Sequence, residues 1–321
     1  MLAYTGACFM QLYLHIILGL LVKVSSLLPV CIITSPSPKH PSTEQVWDVI
    51  RSIERNVCPD VSIHVVCDGV NTRAETKDLR GDHDFAMSKR GVVTLNAKAM
   101  YDHYKSTLSQ ELECQKERTY MTQLNAHAGF ALAVKFGVEQ SADRGEEFCL
   151  VCQHDRTFVS PVALQSLLTR LRSDASLAHV NAVHFPTESS LKLLRDWKWH
   201  KAEPRPLASD DVTLLPLPFF YDSNFLVRVS SFVQTIYRPF RSLPPPILTH
   251  LGASNVSKFV LRKGDFIEDR LGQAVRSSLK RLVAEGETEL VESLVRWMGT
   301  YSLASPHALV KHSSARKYPR P

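Results

Sequence analysis

An α/β fold, with a doubly wound, mostly parallel sheet flanked by helices, is predicted by three features of this 321-residue chain. The first is a pair of apolar runs. Val30-Cys-Ile-Ile-Thr34 ends at Ser35-Pro-Ser-Pro38, and Val61-Ser-Ile-His-Val-Val-Cys67 ends at the turn pair Asp68-Gly69. The second is the segment between them, Thr43 to Ile53, which places Val46, Val49, Ile50 and Ile53 at helical intervals behind Ser42 or Thr43 as N-cap. Strand, helix and strand in that order imply a parallel pair with a crossover helix. The third is Phe148-Cys-Leu-Val-Cys152, another apolar strand, approached by a helical pattern from about Thr119 to Gln140 with Ala126, Phe130, Ala133, Val134 and Val138 on one side. Alternation of this kind is the signature of a doubly wound sheet.

The Phe148 strand runs into a polar tip, Gln153-His-Asp155. Ligands of open α/β sheets sit outside the carboxyl ends of the strands. A carboxylate and an imidazole at such a tip suit Mn²⁺ or Mg²⁺, and the metal would hold a diphosphate. Asp155 also fits the plainer role of capping the turn after a buried strand.

Four places, in order, resemble the GT-A nucleotide-sugar transferases, and within them the inverting family 2 glycosyltransferases. They are the first strand with its Pro-bearing loop (Pro36) and the helix ending Arg51-Ser-Ile53; Val65-Val-Cys-Asp-Gly69; Gln153-His-Asp155; and Phe266-Ile-Glu-Asp269 with Arg270-Leu-Gly-Gln273. The resemblance spans about Val30 to Trp297. It implies a GT-A-like domain in which Pro36 and Asp68 meet the nucleotide of the donor, and Asp155 with His154 holds Mn²⁺ or Mg²⁺. Asp269, with Glu268 second, would be the base. The two acids also suit a helix N-terminus, since Leu271, Ala274, Val275 and Leu279 continue at helical spacing.

The chain departs from the family pattern at Gln153, where an Asp is usual. A neutral amide there weakens metal or ribose binding, so a catalytically inactive protein that binds nucleotide or glycan is the alternative to an active enzyme. A literal Asp-x-Asp occurs at Asp82-His-Asp84, but Thr76-Lys-Asp-Leu-Arg-Gly81 before it is a charged loop, not a strand that would hold carboxylates at a tip.

Residues 178–185 read as a strand. Arg195-Asp-Trp-Lys-Trp-His-Lys201 reads as a hairpin edge or a sugar-stacking loop, and Val212 to Arg228 as an apolar stretch broken by Asp222-Ser-Asn224. The resemblance makes Asp222 and Ser223 contacts to donor or acceptor; helix N-capping is the plainer role. Arg241-Ser-Leu-Pro-Pro-Pro246 reads as a stiff connector.

Composition fits a globular enzyme: 44% hydrophobic, 22% charged, net charge +6. The cations are scattered and match no RNA-binding module, so no nucleic-acid partner is expected. A diphosphate or an anionic membrane surface accounts for the excess equally well. The seven cysteines form no framework: Cys149-Leu-Val-Cys152 lies on a strand that points its thiols to opposite faces, although Cys58 and Cys114 are in polar surroundings and can pair.

Residues 1–29 are apolar enough to be a membrane anchor through residues 7–29 or a core-packed segment. Lys23 and Lys39 follow its most apolar part, Ala7 to Val22, which by the positive-inside tendency faces the domain to the cytosol. Membrane association at Golgi or ER, at the cytosolic face, or a cytoplasmic location all remain open. Residues 30–300 form the GT-A-like domain and 301–321 a basic, flexible tail. The expected function is a hexosyl- or related transferase, moving a sugar from a nucleotide-sugar donor to the hydroxyl of a glycan, lipid or protein acceptor.

Overall fold

The computed structural model describes residues 27–37, 40–72, 92–195, 207–208, 212–217 and 219–313. Asp82, Asp84, Trp197, Trp199 and nearly all of the 7–29 segment lie outside the described residues. Among the described residues, no helix is long and apolar enough to cross a membrane.

The predicted opening unit is present: β1 (Leu28–Thr34), α1 (Glu44–Asn56) and β2 (Val61–Cys67), with β1 and β2 parallel along their whole length. Two short strands, β3 (Asn71–Thr72) and β4 (Val92–Val93), precede α2 (Leu95–Glu113). Then come β5 (Thr119–Gln123), α3 (Phe130–Asp143), β6 (Phe148–Gln153), β7 (Arg156–Phe158) and α4 (Leu164–Ser173). The chain continues through β8 (Ala182–His184), α5 (Glu188–Arg195), β9 (Leu207–Ala208), β10 (Thr213–Pro216), β11 (Phe225–Arg228) and α6 (Val229–Tyr237). A π-helical turn, Glu268–Gly272, leads to α7 (Gln273–Glu285), α8 (Thr288–Met298), β12 (Thr300–Leu303) and β13 (Val310–His312).

Among the described residues, nine strands form the main sheet in the order β5-β2-β1-β6-β11-β8-β12-β10-β9. The block β5-β2-β1-β6 is parallel throughout, as is β8 with β12. β11 runs antiparallel to both β6 and β8, and β10 antiparallel to β12 and β9. Strand alternation feeds two cores. Val30 and Ile32 of β1 pack with Val46, Ile50, Tyr101 and Leu108 on one face; Cys31 and Ile33 pack with Val134, Phe232, Val275 and Leu294 on the other. Helices therefore cover both faces, as the α/β pattern predicts.

Three local expectations need correction. The helix expected from Thr119 starts only at Phe130: Gly129, at φ +84°, interrupts it, and residues 119–123 pair with β2 instead. Pro245 does not stiffen a connector; it opens the helical segment Pro245–Leu251, where the missing N–H is no loss. The tail does not begin at residue 301, because β12 lies between β8 and β10 in the main sheet and β13 pairs with β7. Cys58 and Cys114 are free thiols.

Candidate active site

The chain leaves β1 for β2 on one side and joins it to β6 on the other, so β1 lies at a topological switch point of the sheet. Register aligns Thr34 with Cys67 and Ile33 with Gln153, placing Ser35–Ser37, Asp68 and Gln153–Asp155 along one rim. β11 is antiparallel to β6 and begins at this rim, since Phe225 pairs with Val151. The Asp222-Ser-Asn224 turn that precedes it therefore joins the same group.

Hydrogen bonds tie these turns together. The Gln153 N–H donates to Asn224 Oδ1 (3.2 Å), and its side-chain amide to the Asp222 carbonyl (3.2 Å). Asn224 Nδ2 donates to the Arg156 carbonyl (2.9 Å). Asp222 and the π turn bond reciprocally: the Glu268 N–H donates to Asp222 Oδ2 (3.1 Å), and the Asp222 N–H to Glu268 Oε2 (3.2 Å). Asp269, the next residue, is exposed.

Asp68 is held by protein groups. Its carboxylate accepts from the N–H groups of Ala128 (2.7 Å) and Gly129 (3.1 Å), and His127 Nδ1 lies 2.8 Å from Oδ2. The loop it grips is bonded onward, Gly264 N–H to the Ala128 carbonyl (2.9 Å) and Ala131 N–H to the Asp265 carbonyl (3.1 Å). Asp68 is thereby linked to the segment that leads into Glu268 and Asp269. Pro36, in the loop after β1, is buried. The neighbouring Thr34 hydroxyl meets Tyr104 Oη at 3.1 Å, and the Tyr101 hydroxyl donates to the Asp68 carbonyl (3.1 Å).

Asp155 is only 4% exposed. His312 Nε2, at the end of β13, stands 3.1 Å from its Oδ2, whereas Oδ1 is buried without a hydrogen-bond partner. Burial pushes its pKa up, but the His312 hydrogen bond and the charges of His154, His312 and Arg156 outweigh it and hold the group well below the usual carboxylate range. Asp222 behaves in the opposite way. At 6% exposed, it is driven well above that range by burial; the Glu268 N–H opposes this, and the charges of Glu268 and Asp269 reinforce it. Burial also raises Glu268. Arg156 supplies positive charge to all three carboxylates.

His154 is anchored through one side of its ring, which fixes the tautomer and leaves Nε2 as the nitrogen with a lone pair. Its backbone N–H and its Nδ1 both donate to the Ile33 carbonyl, at 3.1 and 3.3 Å. Among the described residues, no three His, Cys, Asp or Glu side chains converge as a metal cage. Two protein groups are still enough for Mg²⁺ or Mn²⁺, which take most of their remaining oxygens from substrate phosphates and water. The unpartnered Asp155 Oδ1 fits such an ion, because a buried carboxylate oxygen is costly to leave unsatisfied. The sequence singled out Asp155, Asp222, Ser223, Glu268 and Asp269. It missed Arg156 and His312. His312 is brought in only by pairing between strands 154 residues apart (310–312 with 156–158), a contact no local pattern reveals.

No protein-family model and no curated protein sequence matches the chain. Its fold is similar to the crystal structure of S. aureus TarS 1–349, with 12% identity and a TM-score of 0.36 over 65% of this chain and 49% of that one. It is also similar to GalNAc-T7 with UDP, GalNAc and Mn²⁺, with 9% identity and a TM-score of 0.40 over 90% of this chain and 44% of that one. A third similar structure is mouse xyloside xylosyltransferase 1, with 9% identity and a TM-score of 0.40 over 90% of this chain and 98% of that one. The chain thus spans about half the length of the TarS 1–349 structure.

Proposed function

We propose that the protein is a glycosyltransferase that moves a sugar from a nucleoside-diphosphate donor to an acceptor hydroxyl. The observation that carries this reading is Asp155: a buried, ionised carboxylate at the tip of β6, paired with His312 through one oxygen and unpartnered at the other. That is a half-built cation site at the place where an open α/β sheet binds ligands.

In this reading Asp155 would hold the divalent ion, Mn²⁺ or Mg²⁺, through its unpartnered oxygen, and His312 and His154 would each offer a ring nitrogen that carries no proton. Imidazole favours Mn²⁺ over the harder Mg²⁺. When bound, the ion neutralises charge on the leaving diphosphate. Arg156 adds a fixed positive charge beside the same carboxylates, which favours the anionic leaving group electrostatically. The acceptor oxygen attacks the anomeric carbon, the bond from that carbon to the diphosphate oxygen breaks, and the acceptor proton passes to a carboxylate. Asp269 takes that proton. Glu268 is occupied in bonding Asp222, so its role is to aim the π turn. Asp222 and Ser223 lie where the donor sugar would rest, and Pro36 and Asp68 bound the nucleotide side.

A nucleotide-binding module without transfer is the second reading. It is favoured by Gln153, whose amide is spent on the Asp222 carbonyl. A nucleotide-sugar hydrolysis and transfer screen separates the two, with Mn²⁺ and Mg²⁺ varied and Asp269→Asn as control. Turnover in the wild type that falls at least about 100-fold in a folded Asp269→Asn supports the enzyme. Binding of UDP or GDP without turnover of any donor supports the module.

A further inference from the structure

A cleft of about 900 Å³ opens beside the candidate site, between the β7–β13 ladder, α5 and the loop that follows β12. Its volume is in the range of sites that enclose a small organic ligand. One part of its wall is apolar: Val159, Leu191, Leu194, Leu215, Pro306 and Val310. Val159 is 48% exposed and lies on this wall. The charged part is elsewhere. Arg156 and His312 are paired across the ladder at the end next to Asp155, and both line the cleft, as do Lys311, Glu188 and His307 around its edge. The next pair along the ladder on the same face is Phe158 with Val310, and Val159 follows just beyond the strand. Polarity therefore changes along the ladder, from cationic at Asp155 to apolar away from it.

A nucleoside diphosphate matches the cationic end, where its phosphates would meet Arg156 and His312. Its base, like the C–H face of a sugar, can lie on one or two aliphatic side chains, but neither matches a wall of six. Resting on the transferase reading above, we propose that this cleft is the acceptor subsite. The acceptor it takes is a small amphiphile, whose hydroxyl-bearing end reaches Arg156 and His312 and whose alkyl or aryl group lies on Leu191, Leu194, Leu215 and Val159. Burying each methylene of such a group stabilises the complex, so affinity rises with alkyl length until the wall is covered.

The test measures binding of methyl and hexyl β-glycosides of glucose, galactose and N-acetylglucosamine to the full chain by calorimetry. Wild type is compared with Leu194→Gln and Val159→Gln, and UDP or GDP with Mn²⁺ is titrated in parallel. The expected result is that at least one hexyl glycoside binds ten-fold or more tightly than its methyl counterpart. Leu194→Gln and Val159→Gln should each reduce that preference at least three-fold while leaving nucleotide binding unchanged. Equal binding of methyl and hexyl glycosides, or a hexyl preference untouched by both substitutions, overturns the proposal. Displacement of the hexyl glycoside by nucleotide alone also overturns it, because the cleft would then belong to the donor. Since nucleotide binding is read separately, its absence counts against the transferase reading, whereas intact nucleotide binding without an alkyl preference counts against the subsite alone.

Discussion

Asp155 and Asp222 are two carboxylates buried to nearly the same extent, yet their surroundings drive them in opposite directions. Asp155 faces His312, His154 and Arg156; Asp222 faces Glu268 and Asp269. For Asp155 the folded-state pKa is depressed, so its contribution to stability is full above the ordinary carboxylate value near 4 and shrinks as the pH falls below it. Asp155→Asn should therefore cost about 1–3 kcal/mol at pH 7 in urea melts, and the gap from wild type should narrow below about pH 4. Asp222 favours its protonated form, in which Asn is a close substitute: the amide oxygen can still accept from the Glu268 N–H. Asp222→Asn should shift stability by less than about 1 kcal/mol, whereas Asp222→Ala, which leaves that N–H unpaired, should cost about 1–3 kcal/mol. An equal loss in both variants would contradict the assignment.

Elements fix where these side chains point. The rim loops are drawn together by close backbone approaches that admit no side chain. A Cβ on Gly69 would lie 2.2 Å from the Ala126 carbonyl carbon. One on Gly129 would lie 2.5 Å from Gly264 Cα, at a φ of +84° that disfavours any other residue. Gly69→Ala and Gly129→Ala should each lower stability by at least about 2 kcal/mol, read as a shift of the urea midpoint. Both should also loosen the link from Asp68 to the π turn. Elements were also where the sequence was read unevenly. β1, α1, β2 and β6 carry strong periodic patterns and turn residues at their ends, and all four are present. β5 is not legible as a strand because Thr119–Gln123 has no alternating apolar pattern; its pairing with β2 decides it. β13 is three residues long in a basic, polar stretch, and only its pairing with β7 makes it a strand. His312, the partner of Asp155, is hidden with it.

Across the whole molecule, the α/β pattern and the order of four motifs were legible because each is local: a strand, then a turn with the polar residue at its end. The convergence of 153–156, 222–224, 268–269 and 312 was not legible, since it depends on β11 running antiparallel beside β6. Three buried histidines give the fold a pH dependence that no motif announces. Burial lowers His40 and His64 to about 4 and His184 to about 3. The unfolded chain therefore binds more protons than the folded one below the free-histidine value near 6.5, and stability must fall as the pH drops from there toward 4. Urea midpoints should decline between pH 7 and pH 5, and His184→Phe, which packs against Phe220 and Phe225 without a titrating group, should make the decline shallower. A wild-type midpoint that does not change over this range would show that the rings are not held neutral.

The proposed cation site at the tip of β6 is tested most directly by calorimetric titration of the full chain with Mn²⁺, with UDP or GDP, and with both together. Two protein groups alone bind such an ion weakly, so Mn²⁺ by itself should show negligible affinity, while nucleotide and Mn²⁺ should bind together, each strengthening the other. Asp155→Ala should abolish that coupling, His312→Ala should weaken it at least ten-fold, and Asp84→Ala should leave it intact. Coupling that survives in Asp155→Ala but is lost in Asp84→Ala would contradict the placement of the site at this rim.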